Sequence, residues 1–190
     1  MRVLLLGPSR PPIESSLRSI GDEVRGTEEP LSTRQSVLDG IDFLVSYGYR
    51  YLIPAKVLRS FGERAVNLHI SLLPWNRGAD PNLWSYLEDT PKGVTIHVLD
   101  AGLDTGPILI QHAAVSVQGD TLRSSHARLS VAVENLFCSA WPDIRRGALA
   151  PIPQAGPGTA HRSVDRTAYE HLLTEGWDTP VVQLQGKAVG

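Results

Sequence analysis

Residues 64–82 read RAVNLHISLLPWNRGADPN, and the first half of this stretch decides what sort of sheet the chain builds. Its start has the look of a buried strand, yet Asn67, His69 and Ser71 fall on alternate positions. Side chains of a strand alternate between its two faces, so these three share one face. A sheet covered on both sides normally fills both faces with apolar residues. Either the polar face is wet, or it is a site. Pro74 and Gly78 then turn the chain. Asp80-Pro81 reads as an N-cap followed by proline at the first helical position, with Leu83, Trp84 and Leu87 as that helix's apolar side.

Outward from here, strand and helix patterns alternate. Val3 to Leu6 form a first strand, stopped by Gly7-Pro8. Ile13, Leu17 and Ile20 are spaced for a short amphipathic helix that ends at Gly21. DEVRG supplies a second strand, and a second helix is expected from Ser32 to Gly40 with Val37 and Leu38 inward. DFLVSYGY is a third strand; Pro54 opens a helix that closes at Gly62. RAVNLHI is then the fourth strand, GVTIHVL the fifth and PILIQHAAV the sixth. Asp120 or Thr121 caps a long helix whose positions Leu122, Leu129, Val133, Leu136, Phe137 and Trp141 keep a 3–4 spacing, with Pro142 expected to kink or divide it. Residues 148–158 are rich in Pro and Gly and read as a loop. Asp165 is placed to cap one more helix, through Leu173, and the last dozen residues are expected to be poorly ordered. This alternation predicts an α/β fold with a mainly parallel sheet and helices on both faces. We expect a catalytic unit over residues 1–150, and a short C-terminal extension over 151–190 that is not an independent domain.

Composition narrows the function. Of the 190 residues, 42% are hydrophobic and 20% charged, as in ordinary globular domains. Eighteen basic against 20 acidic residues give a net charge of -2 with no basic stripe, which argues against a nucleic-acid surface. The single cysteine, Cys138, has no intrachain partner and falls in a helical pattern as a packed thiol. The N-terminal apolar run is too short for a signal-peptide core or a membrane span, so the expected setting is the cytoplasm, away from membranes. No pair or triplet has metal-ligand spacing, and no metal is expected. GPSRPP is not a phosphate loop, because its prolines remove backbone donors.

In an open α/β sheet, ligands sit beyond the carboxyl ends of the strands. Asn67 and His69 lie near the end of the fourth strand, and DAGLDTG, residues 100–106, follows the fifth. If Asp104 meets the other two, a carboxylate beside an imidazole fixes its tautomer and favours its protonated form. The imidazolium and the amide then donate to a developing oxyanion, and the carboxylate takes a proton from an attacking amine. Such a set suits direct acyl transfer. Each residue also has a plainer reading: polar side chains are common at strand ends, and Asp104 in GLDTG suits an Asx turn. Spacing alone leaves both open. Ser71 is expected to hydrogen-bond the following turn. His97, between Ile96 and Val98, reads as a hydrogen-bonded core histidine, and His112 and His126 as ordinary surface or helix residues.

NLHISLLPWNRG followed by GVTIHVLDAGLDTGPIL resembles the signature of the formyltransferases that use 10-formyltetrahydrofolate. That family includes tRNA-, ribonucleotide- and sugar-directed enzymes and the formylation domain of the linear gramicidin synthetase. The likeness runs from about Val3 to Ile152; WNRGADPNLWSYLEDTPKGVTIH and the tail GPGTAHRSVDRTAY look closest to the synthetase domain and to small sugar N-formyltransferases. It implies a Rossmann-like sheet, an Asn67/His69/Asp104 catalytic triad and 10-formyltetrahydrofolate as formyl donor, without a metal. YGYRYLIP matches the segment lining the pterin, which places Tyr49, Arg50, Tyr51, Leu52 and Ile53 beside it, with Asp100 in the facing loop. Trp75, Asn76, Arg77 and Asp80 become candidates to shape the acceptor pocket; a capped loop entering a helix explains them equally.

The resemblance also has limits. Many relatives carry proline at the position of Ile70, the glycine-rich loop of the ribonucleotide enzymes is missing, and no C-terminal barrel of the tRNA enzymes is expected. The implied activity is N-formylation of a small-molecule primary amine, either an amino sugar on a nucleotide or an aminoacyl unit, carrier-bound acceptors included. Hydrolysis of the same donor, or a non-catalytic folate-binding or carrier-docking module, are the rivals. A homodimer is consistent with sugar-type relatives.

Overall fold

The computed structural model of the chain describes residues 1–33 and 35–189. Its elements in order are β1 (Arg2–Leu6), α1 (Pro11–Ser19), β2 (Glu23–Thr27), β3 (Phe43–Ser46), α2 (Ala55–Phe61), β4 (Ala65–His69), β5 (Arg77–Gly78), α3 (Pro81–Leu87), β6 (Lys92–Val98), β7 (Ile108–Ala114), α4 (Leu122–Ile144) and β8 (Ala160–His161). Six strands form one sheet in the order β2-β1-β3-β4-β6-β7, and β5 pairs with β8 in a small second sheet. The pairings from β2 through β4 are parallel, and β6 and β7 join antiparallel. The result is an α/β sheet, mainly parallel, with helices on both faces.

The pleat explains the two cores. Val3, Leu5, Phe43, Val45, Val66, Leu68, Val94 and Ile96 point to one face, under α1 and α4. Leu4, Leu6, Leu44 and Ala65 point to the other, under Val57, Leu58 and Phe61 of α2. On that second face the strand ends change character. Ser46 pairs with Asn67, Asn67 with His97, and His69 with Thr95, so a polar patch crosses three adjacent strands where α2 no longer covers them. A third cluster joins Leu83, Trp84, Tyr86 and Leu87 of α3 to Leu122 and to Val181 and Leu184 near the C-terminus.

Four expectations need correction. The helix over 32–40, of which Arg34 lies outside the described residues, is a 3₁₀ turn, Gln35–Leu38. Asp80 does not cap α3 with its side chain; it sits at φ +51 and its carboxylate accepts from Arg166 (3.0 Å). The segment Ser163–Leu172 winds as a 3₁₀ run rather than an α-helix. Of the last dozen residues, expected to be poorly ordered, 179–189 are described and are anchored: Leu184 is fully buried, and the Ala188 and Gly186 amides donate to Leu87 and Tyr86 carbonyls. Among the described residues, no helix is long and apolar enough to cross a membrane.

Candidate active site

Ser46, Asn67 and His69 of the polar patch floor a cavity of about 590 Å³ beside the carboxyl ends of β3, β4 and β6. Asn67, His69 and Asp104 all line it. Asp104 reaches the patch from the loop after β6, with its backbone at φ +54, a left-handed conformation that costs a non-glycine residue about 1 kcal/mol. Its carboxylate is held on every side. Oδ1 accepts from Asn67 Nδ2 (3.1 Å) and Oδ2 from the Gly78 amide (2.9 Å). His69 Nδ1 stands 3.5 Å from Oδ2, and His97 Nε2 3.4 Å from Oδ1.

His69 is buried, and its other ring nitrogen, Nε2, lies 2.9 Å from the Asn76 carbonyl. Both ring nitrogens therefore face acceptors, an arrangement that the doubly protonated ring satisfies. Burial opposes that charge and pulls the His69 pKa below its ordinary value, while Asp104 and the Asn76 carbonyl push it up. For Asp104, burial alone would raise the pKa. The His69 and His97 rings and the Gly78 N–H outweigh it and hold the carboxyl far below the usual carboxylate range. A carboxylate kept ionised beside an imidazole orients that ring and favours its protonated, donating form; with its own proton affinity so low, it can hold a transferred proton only in passing.

His97 is more than a core histidine. Its Nδ1 lies 2.9 Å from the Val98 carbonyl, which fixes Nδ1 as a donor, and its Nε2 stands between Asn67 Nδ2 (3.3 Å) and Asp104 Oδ1 (3.4 Å). Asn67 Nδ2 thus lies against both His97 and the Asp104 carboxylate, to which it donates. A histidine flanked by Ile96 and Val98 gives no sign of this in sequence; only the register, Asn67 opposite His97, does. Thr95 serves the turn instead: its hydroxyl donates to the Ser71 carbonyl (2.7 Å) and accepts from the Leu73 amide (3.1 Å). Ser71 does hydrogen-bond the turn, donating to the Trp75 carbonyl (2.7 Å).

Of the YRYLI segment, Tyr49, Tyr51, Leu52 and Ile53 line the cavity; Arg50 does not. Tyr49 spends its phenol on the neighbouring loop, donating to the Glu29 carbonyl (2.8 Å) and accepting from the Leu31 amide (3.1 Å). Leu52 is 84% exposed at the rim, an apolar side chain with nothing of its own chain to cover it. Asp100 lines the opposite wall and shapes its loop, accepting from the Gly102 amide (3.1 Å) and the Thr105 hydroxyl (2.8 Å). Arg10, which the sequence reading passed over, also lines the cavity; its guanidinium lies 4.3 Å above the Tyr47 ring and its Nε is buried without a partner.

Trp75, Asn76 and Arg77 are not on the cavity wall. Asn76, at φ +56 and fully buried, presents its carbonyl to His69, and its side chain joins Glu88 (3.2 Å) and Thr90 (2.9 Å). Arg77 Nε donates to Gln154 (3.0 Å). Asp80 lines a second cavity of about 350 Å³, together with Arg123, His126 and Trp177, which adjoins the first through Ile70, Pro81 and His126.

Residues 25–140 match the model of a family described as formyl transferase. This chain belongs to that family. The formyltransferase PseJ from Anoxybacillus kamchatkensis, solved in complex with UDP-4,6-dideoxy-4-formamido-L-AltNAc and tetrahydrofolate, superposes on it with a TM-score of 0.96. The two are 50% identical, over 99% of this chain and 100% of that one. A methionyl-tRNA formyltransferase from Burkholderia mallei is 37% identical over 146 residues, 75% of this chain and 43% of that protein. One from Thermodesulfovibrio yellowstonii is 34% identical over 116 residues, 60% of this chain and 38% of that protein. The chain therefore spans less than half the length of these tRNA-directed relatives.

Proposed function

We propose that this chain transfers a formyl group from 10-formyltetrahydrofolate to the primary amine of an amino sugar carried on a nucleotide. One observation carries the reading: an ionised Asp104 bound at once by Asn67 and the Gly78 amide and facing His69, on the floor of an open cavity. The walls suit the donor's flat heterocycle, with Tyr51, Leu52 and Ile53 as apolar surface and the loop around Asp100 as a source of backbone polar groups. The donor supplies a formyl group on nitrogen, whose carbon the amine attacks and whose bond to that nitrogen then breaks.

The chain's own residues supply the rest. His69 and Asn67 each give up one resting bond and donate to the formyl oxygen as charge gathers there. Donors placed in advance are worth roughly 3–4 kcal/mol each in acyl transfer. Asp104 takes the proton that the attacking amine sheds, and that proton leaves with the departing nitrogen. His97 keeps Asn67 and Asp104 in register.

The adjoining cavity supports the acceptor class. An indole (Trp177) and an imidazole (His126) stand in its wall, chemistry that suits an aromatic base, and Arg123 lines it with its guanidinium paired to Asp178 (2.8 and 3.1 Å). The likeness to PseJ over the full length of both chains supports the same class. Release of tetrahydrofolate from the donor, followed with amino-sugar nucleotides, free amino acids and aminoacyl thioesters, tests this. We expect turnover with the sugar nucleotide only, lost in Asp104→Asn. Release without any amine would make the chain a hydrolase.

A further inference from the structure

Gln154 stands where the two loops of the site meet, in a stretch beyond the residues that match the family. Its Nε2 donates to the main-chain carbonyls of Asp104 (2.8 Å) and Gly106 (2.9 Å), and its Oε1 accepts from Arg77 Nε (3.0 Å). One amide group therefore joins the loop that carries Asp104 to the strand whose Gly78 N–H binds the Asp104 carboxylate. Gln154 is itself fixed. Two residues before it, Ile152 exchanges both main-chain hydrogen bonds with Ile108 (2.7 and 2.8 Å). A few residues after it, β8 pairs with β5, and Thr159 receives the Asn76 amide (2.9 Å). Asp104 needs such support: in a left-handed conformation its loop has other states to relax into, and a carboxylate aimed 1 Å wide no longer faces His69.

We propose that Gln154 is a positioning residue for formyl transfer, acting through the main chain of Asp104 to aim the carboxylate at His69. The proposal rests on the triad reading above. A residue that only orients a catalytic group lowers kcat and leaves substrate binding alone, because both substrates meet other walls of the cavity. Gln154→Ala removes all three hydrogen bonds. Gln154→Glu keeps the length and the acceptor for Arg77 but sets a carboxylate oxygen against two carbonyls.

Steady-state kinetics of both variants with 10-formyltetrahydrofolate and an amino-sugar nucleotide provide the test, with the His69 ring titration followed by NMR. We expect kcat to fall about ten- to a hundredfold in each, with both KM values within about threefold of wild type. The His69 titration should move to lower pH, because the Asp104 charge that raises it is turned away while its other titratable neighbour, His97, stays in place. A kcat within threefold of wild type, a change confined to KM, or a lower melting temperature with an unmoved His69 titration would each overturn the proposal. A wild-type protein that turns over no amine would instead count against the proposed function, and the His69 titration would still decide the role of Gln154.

Discussion

Asp104 has to remain ionised with only 11% of its side chain exposed, and its neighbours show how that is managed. A carboxyl unfolded in water titrates near 4; here the His69 and His97 rings and the Gly78 amide overcome burial and depress it. A depressed folded-state pKa gives stability that is present above about pH 4 and is lost as the pH falls below it. In the proposed mechanism the coupling works through His69. Asp104→Asn removes the charge that raises the His69 pKa, so the alkaline limb of the kcat profile should move to lower pH, and kcat should fall roughly a hundredfold or more. A pH series on the pure variant checks both. Gly78 is the second sensitive position. It sits at φ +88, and a Cβ there would collide with the His161 carbonyl. Gly78→Ala should therefore displace the amide that binds Asp104 and reduce kcat by about tenfold or more, readable in the same assay. Asn67, His69 and Asp104 could be picked out by alternation and by motif, since each announces itself within a few residues. His97, Glu88 and Gln154 could not. Their meaning lies in partners 30, 12 and 50 residues away, and no local pattern reports a strand register or a loop crossing.

Among the elements, α4 was the most legible. Its 23 residues carry a 3–4 stripe, with Leu129, Val133, Phe137 and Trp141 all buried against the sheet. Thr121 makes a reciprocal capping box with Ser124, each side chain engaging the other's amide (3.2 and 2.9 Å). Thr121→Ala should cost about 1 kcal/mol and lower the melting temperature by roughly 2–4 °C, measured by thermal denaturation. Pro142 falls in the last turn, where only one further bond is forfeited, so the helix runs on to Ile144 and Arg145 still donates to Trp141 (2.9 Å). Near that end, Asp22 is buried between Trp141 Nε1 (2.8 Å) and the Arg145 guanidinium (2.9 Å). Asp22→Ala takes the acceptor from the indole, from Arg145 and from the Met1 ammonium (2.7 Å); the two cations stay in touch with water, so the loss should be about 1–3 kcal/mol in urea unfolding. The expected helix over 32–40 illustrates the opposite case. Nine residues are too few to nucleate a stable helix alone, and Tyr49 reaches in to bind Leu31 and Glu29 just before it. That tertiary contact, made by a residue 18 positions on, cannot be read from the segment itself.

At the level of the whole molecule, the stretch that defines the family is not a physical unit. Residues 25–140 omit β1, which lies between β2 and β3 in the sheet, and omit the segment that carries Gln154. The chain beyond residue 150 has two jobs that can be separated by experiment. Residues 152–161 knit the site loops together. Residues 181–188 cover α3 and the start of α4: Leu184 has no exposure, Val181 joins it among Leu83, Leu87 and Leu122, and the Val181 amide donates to the Asp120 carbonyl (3.0 Å). The packing of Leu184 touches none of the triad, and it is absent from the walls of both cavities. Leu184→Ala removes a fully buried side chain and should cost about 2–5 kcal/mol, lowering the melting temperature by roughly 5–15 °C. Its kcat at 25 °C should nevertheless stay within about threefold of wild type, since loss of buried volume at that distance lowers the fraction folded before it moves the triad. Gln154→Ala should show the reverse, a small thermal shift with a large loss of kcat. If Leu184→Ala lost rate as steeply as Gln154→Ala, the two halves of the C-terminal segment would form one coupled support rather than a cover and a clamp.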